Sequence, residues 1–131
     1  MNKISFFTFC IILFNGCDGE NKKNIYMDQR MKNNSAKTFD IGYSVYMNSC
    51  ASCHSYGISG APNLSDFDYW NLSADKGMDT ILTSLEKGYI GDRGVMPPKG
   101  NCFSCSEEEL KASMIYIFQK VKSNKINKEN L

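Results

Sequence analysis

One histidine, three prolines and one tryptophan are all that 131 residues contain of those types. A single imidazole excludes any site that needs two histidines from one chain. Charge of one sign is also lacking: 15 basic residues face 14 acidic ones, a net +1. That balance argues against nucleic acid as a partner, because such binders carry a clear basic excess. A membrane span needs about 20 apolar residues, and no run reaches that length. Hydrophobic content of 42% is too low for an integral membrane protein and too high for a wholly disordered one. Alternation with period two is absent, which points away from strands. The length suits one small domain. What the chain does have is six cysteines.

The first 16 residues read as an export signal. Lys3 supplies the charged start, and Ile4–Phe14 is apolar except for Ser5 and Thr8. Leu13-Phe14-Asn15-Gly16-Cys17 resembles a bacterial lipobox, with Phe14 where the pattern has leucine. Cleavage before Cys17 and acylation of its sulfur would anchor the chain stably, since several acyl chains hold where one is marginal. Asp18 resembles the inner-membrane retention signal. The expected location is the periplasm, on the inner membrane, where disulfides form.

Residues 17–37 are rich in Asn and Lys and read as a flexible tether. The folded domain is expected at 38–122, with Thr38 as the first N-cap. Phe39, Tyr43, Tyr46 and Cys50 then share one helical face. Ser55–Ser65 reads as loop, and Asp66–Leu72 as a short helix. Met78–Lys87 is an amphipathic helix closed by Gly88. Tyr89–Cys105, with three glycines and two prolines, reads as extended loop. Ser106 and Glu109 form a capping box for a last helix striped by Leu110, Met114, Ile117, Phe118 and Val121. Residues 123–131 read as a polar, frayed tail. The expected fold class is all-α, with three to five short helices and long loops. Such a small core needs a cofactor or cross-links.

Cys50-Ala51-Ser52-Cys53-His54 is the C-x-x-C-H pattern of covalent haem attachment. Thiols one turn apart reach the two porphyrin vinyl groups, and the next residue sets an imidazole on the iron. Bis-histidine ligation is excluded. Met47 lies too close to the motif to reach the opposite haem face, and Met78 and Met114 fall on apolar helix stripes, where methionine usually fills space. Met96 instead precedes Pro97-Pro98, whose fixed φ values stiffen the chain at little entropic cost. His54 and Met96 are therefore the expected axial ligands. That pair favours ferrous iron and leaves no open site for oxygen. Cys102-x-x-Cys105 leaves three readings open beside Cys50 and Cys53: a four-cysteine zinc site, a redox pair or a structural disulfide. The gap between the two pairs exceeds the roughly 15–20 residues usual for zinc.

From Thr38 to Val121 the chain resembles the class I c-type cytochromes, and most of all the small monohaem cytochrome c-five group. The resemblance rests on Cys50–His54, Gly60-Ala-Pro-Asn-Leu64, Tyr69-Trp70, Lys76–Thr80, and Met96-Pro-Pro-Lys-Gly100 running on through Cys102–Cys105 to Leu110. It implies a class I cytochrome fold with one covalent haem c. It implies that Pro62 packs on the His54 side and that its neighbourhood holds the imidazole Nδ1–H. Further implications are Trp70 near the haem propionates, Gly42 meeting the last helix near Tyr116, and a Cys102–Cys105 disulfide bracing the Met96 loop.

The expected function is a one-electron carrier, not an enzyme, exchanging with redox protein donors and acceptors of respiratory type. Alternatives are a fixed haem subunit of an oxidase or reductase, a haem-based small-ligand sensor, and a non-haem zinc or disulfide module. Charge is uneven along the chain. Residues 38–110 hold four basic and ten acidic side chains, whereas 111–131 hold five lysines against Glu129. The domain is thus expected to be acidic with basic ends, and its partners at least partly positive.

Overall fold

The computed structural model describes residues 23–131. The export signal and Cys17 lie outside the described residues.

Helix α1 (Gln29–Lys32) follows a single 3-10 turn, Ile25–Met27. Together they form a strap over residues 25–32, within the 17–37 stretch expected as a tether. Ile25 is fully buried and Met31 nearly so. Tyr26 packs edge-on against Phe118, with ring centroids 5.9 Å apart. Arg30 joins the strap to itself through Asp28 at 2.7 Å and to the domain through Asp79 at 2.6 Å. Sparse apolar residues without periodicity gave no sign of this, because the partners that bury them are distant in sequence.

Helix α2 (Ala36–Val45) begins at Ser35, three residues before the expected Thr38. Ser35 has extended backbone angles, and its Oγ accepts from the Thr38 N–H at 3.1 Å. Thr38 is therefore the third helical residue. One π turn, Tyr46–Cys50, carries the chain into α3 (Ala51–His54). Then come α4 (Phe67–Ala74), α5 (Met78–Lys87) and α6 (Glu107–Glu129). The α5 bounds agree with the sequence pattern, and the capping box of Ser106 and Glu109 forms as expected.

Two other expectations need correction. Tyr89–Cys105 is not all loop: β1 (Tyr89–Gly91) and β2 (Gly94–Met96) pair antiparallel, with Tyr89 opposite Met96. Strands of three residues are too short to show alternation. The polar tail does not fray before Glu129. Lys122 lies 5.7 Å from the Tyr26 ring centroid and Lys128 5.6 Å from that of Phe67, so lysine stems cover aromatic faces along the last turns.

The core lies where α6 crosses the other helices. Phe39, Tyr43 and Tyr46 bring their rings to 5.0, 5.6 and 5.2 Å from Tyr116. Gly42 allows this approach, since a Cβ there would overlap the Ala112 carbonyl. The stripe from Leu110 to Val121 is buried on the other side of α6.

Candidate functional site

The C-x-x-C-H segment spans the junction between the π turn and α3. Cys50 ends the π turn and is buried, while Cys53 and His54 lie on α3. Both cysteines carry free thiols. Burial, with the neighbouring Cys53, pushes the Cys50 thiol up to about 11, so it stays protonated in the bare protein.

His54 is buried and oriented by the chain that follows it. Its Nδ1 donates to the Pro62 carbonyl at 2.9 Å. A carbonyl only accepts, so the proton sits on Nδ1 and the Nε2 lone pair is left available. Burial lowers the imidazole pKa against the opposing pull of that hydrogen bond, which keeps the ring neutral and able to ligate. The next carbonyl, Asn63, accepts the Trp70 indole N–H at 2.8 Å. The Trp70 ring lies 5.8 Å from His54 and stands nearly perpendicular to Phe118 at 5.4 Å. Pro62 and Asn63 thus fix imidazole and indole with consecutive backbone carbonyls. The indole N–H, the only side-chain donor of Trp70, is thus spent on Asn63.

Met96 ends β2 and is half-buried against the core. Pro97 follows with φ −67°, and Pro98 opens a 3-10 turn to Asn101. The strand is held close to the end of α5. A Cβ on Gly88, itself at φ +82°, would stand 2.8 Å from the Met96 carbonyl and 3.0 Å from the Pro98 nitrogen. In sequence Gly88 gave only a helix stop, because close backbone approach leaves no side-chain signature. Lys99, Gly100 and Asn101 are consecutively left-handed, and Lys99 donates to the Cys105 carbonyl at 3.1 Å. Cys102 and Cys105 form a disulfide with Cα atoms 5.4 Å apart. This consumes the two thiols a four-cysteine zinc site requires, which removes that reading. An Arg93–Asp66 ion pair at 2.5 Å ties the hairpin to the start of α4. Nothing in the sequence marked this pair.

The donor set therefore comprises two free thiols one turn apart, an imidazole with Nε2 available, and a thioether on a proline-stiffened strand. This chemistry fits a haem c. Residues 37–117 match the family described as cytochrome C oxidase, cbb3-type, subunit III. The chain belongs to the class I c-type cytochromes.

This cytochrome is 34% identical to cytochrome c-555 of Chlorobaculum tepidum over 58% of its own length and 70% of the relative's. It is 37% identical to cytochrome c5 of Azotobacter vinelandii over 56% of its length and 86% of that protein's. A solved cytochrome c, described in an electron transfer complex with nitrite reductase, superposes with TM-score 0.55 at 31% identity, covering 62% of this chain and 94% of the other. The fold is the small class I cytochrome fold and the cofactor is one covalent haem c. The strap and the last turns of α6 lie outside the matched residues.

Proposed function

We propose that this cytochrome is an electron carrier, not an enzyme, with thioethers at Cys50 and Cys53 and with His54 and Met96 as axial ligands. Bound haem supplies a reversible ferric–ferrous couple. The observation that carries the reading is the His54 Nδ1 bond to the Pro62 carbonyl, which aims Nε2 away from the backbone. Met96, half-buried beside two prolines, supports the second ligand. A haem held by both His54 and Met96 would have no open coordination position, and the chain has no second histidine for general-base work, so these residues favour outer-sphere transfer over catalysis. Pro62 and Trp70 pack the imidazole side. The Cys102–Cys105 bridge braces the loop after Met96.

The reading places the protein in the periplasm, held to the inner membrane by lipid at Cys17, serving respiratory-type donors and acceptors. Among the described residues no helix is long and apolar enough to cross a membrane. A second reading, a fixed subunit of a larger oxidase or reductase, draws on the name of the matched family. Co-purification in constant stoichiometry from native membranes separates it from a diffusing carrier.

The test of the ligand set is Met96→His. Exchange of thioether for imidazole lowers the reduction potential by on the order of 0.1 V, within the roughly 0.8 V that axial ligands control. Redox titration of the holoprotein reads it. An unchanged potential places the ligand elsewhere. Absence of a sharp c-type α band in the reduced wild type would sink the whole assignment.

A further inference from the structure

We propose that the strap and the C-terminal turns of α6 form a face that lies on anionic lipid headgroups, holding this cytochrome at the membrane in one orientation. The inference rests on the Cys17 anchor proposed above. The strap is what makes the anchor directional. Asn24 donates to Asp75 at 2.7 Å, Ile25 is fully buried, and the Tyr26 hydroxyl donates to the Phe118 carbonyl at 3.3 Å. The chain is therefore fixed to the domain from Asn24 onward. Seven positions separate Cys17 from Asn24. A chain of that length spans at most about 25 Å fully extended, and a coil averages about 15 Å. A domain of this size has a radius of gyration of about 13 Å. Whatever surrounds Asn24 is thereby kept near the headgroups.

What surrounds it suits an anionic surface. Asp75, which holds Asn24, lies one turn from Asn71 on the same side of α4. Asn71 lines a shallow groove with Tyr26, Lys122, Lys125, Ile126 and Glu129. Lys122, Lys125 and Ile126 lie within about 100° on α6, and Ile126 is 47% exposed. Ile126 borders the two lysines, and an exposed apolar side chain beside basic ones is the pattern of an interfacial helix. Each lysine near an anionic leaflet adds a modest electrostatic attraction. That is marginal alone, and Glu129 and Asp75 both subtract from it, but the anchor makes the contact intramolecular. The geometry leaves the redox side open. Asp79, at the start of α5, is bound to the strap, whereas the Met96 hairpin leaves the other end of this ten-residue helix, about 15 Å away.

The test uses the full-length holoprotein in vesicles of phosphatidylglycerol and phosphatidylcholine, compared with detergent solution. Surface amines are acetylated briefly with an N-hydroxysuccinimide ester and each lysine is quantified by mass spectrometry. Lys122 and Lys125 should react at least threefold more slowly in the vesicles, while Lys87 and Lys99 keep their rates. Equal rates for Lys122 and Lys125 in both media overturn the lipid face. The mass of the N-terminal peptide and retention in 1 M salt report the anchor separately. An acylated chain with equal rates refutes the face alone. An unacylated chain protected at low salt upholds the face and refutes the anchor. An unacylated chain that leaves the vesicles at low salt refutes both.

Discussion

At Gly42 the presence or absence of one methyl group decides how α2 and α6 cross. A Cβ there would overlap the Ala112 carbonyl and stand 2.9 Å from the Tyr116 Cβ. Neither neighbour is the tip of a flexible side chain, so Gly42→Ala must push the helices apart. Overpacking of this kind costs about 1–3 kcal/mol. The variant is expected to unfold at lower temperature or denaturant concentration with its haem spectrum unaltered, because every donor lies elsewhere. A midpoint equal to wild type would show that the crossing relaxes freely. The proposed donors have chemical side chains that a sequence displays: Cys50, Cys53 and His54 by spacing, and Met96 by its prolines. The carbonyl of Asn63 was not legible there, because every residue has one and only the fold selects which is used.

At the scale of elements, α5 and the start of α6 were legible because periodicity and capping agree there. The strap was not. Its buried residues satisfy no helical period, and what holds them is Phe118 and the ends of α4 and α5, far along the chain. Burial this complete makes Ile25 a structural anchor, and Ile25→Ala should cost about 2–5 kcal/mol by transfer and cavity terms. Hydrogen exchange at residues 24–32 should rise more than at α2. A uniform change would mean the strap folds with the domain as one unit. The Arg30 bridge adds a pH dependence. Its hydrogen bond to Asp28 holds that carboxyl below its ordinary pKa. The stabilisation is therefore complete above the ordinary carboxylate range and is lost as pH falls through the lowered value. Arg30 is 40% exposed, so solvent screening keeps the effect small. Acid should lower the strap's protection from exchange, relative to the intrinsic rate, in wild type and do so less in Arg30→Gln. Equal acid responses in the two proteins would remove the bridge from the account.

Across the whole molecule the charges separate. Residues 38–110 carry a net −6, and 111–131 a net +4. Several acids are spent internally: Asp79 on Arg30, Asp66 on Arg93 and Glu108 on Lys111. Asp68, Glu86 and Asp92 form no ion pair among the described residues. Asp92 sits at the tip of the hairpin that ends in Met96. Haem propionates add further negative charge. A partner approaching the hairpin thus meets an acidic field, while the basic end of α6 points to the lipid side proposed above. Such a field accelerates encounter with a positive patch and is screened within a Debye length, about 10 Å at 0.1 M salt. Association of the reduced protein with its oxidant should therefore slow severalfold between about 0.02 and 0.2 M ionic strength. Asp92→Lys should slow it at low salt and flatten the dependence, with little change in reduction potential, since the residue touches no donor atom. Stopped-flow rates at several salt concentrations measure both effects. If the Asp92→Lys slope matches wild type, the partner docks away from the hairpin. A rate independent of salt in both proteins would mean that apolar contact alone guides the encounter, and that the charge separation serves the membrane side only.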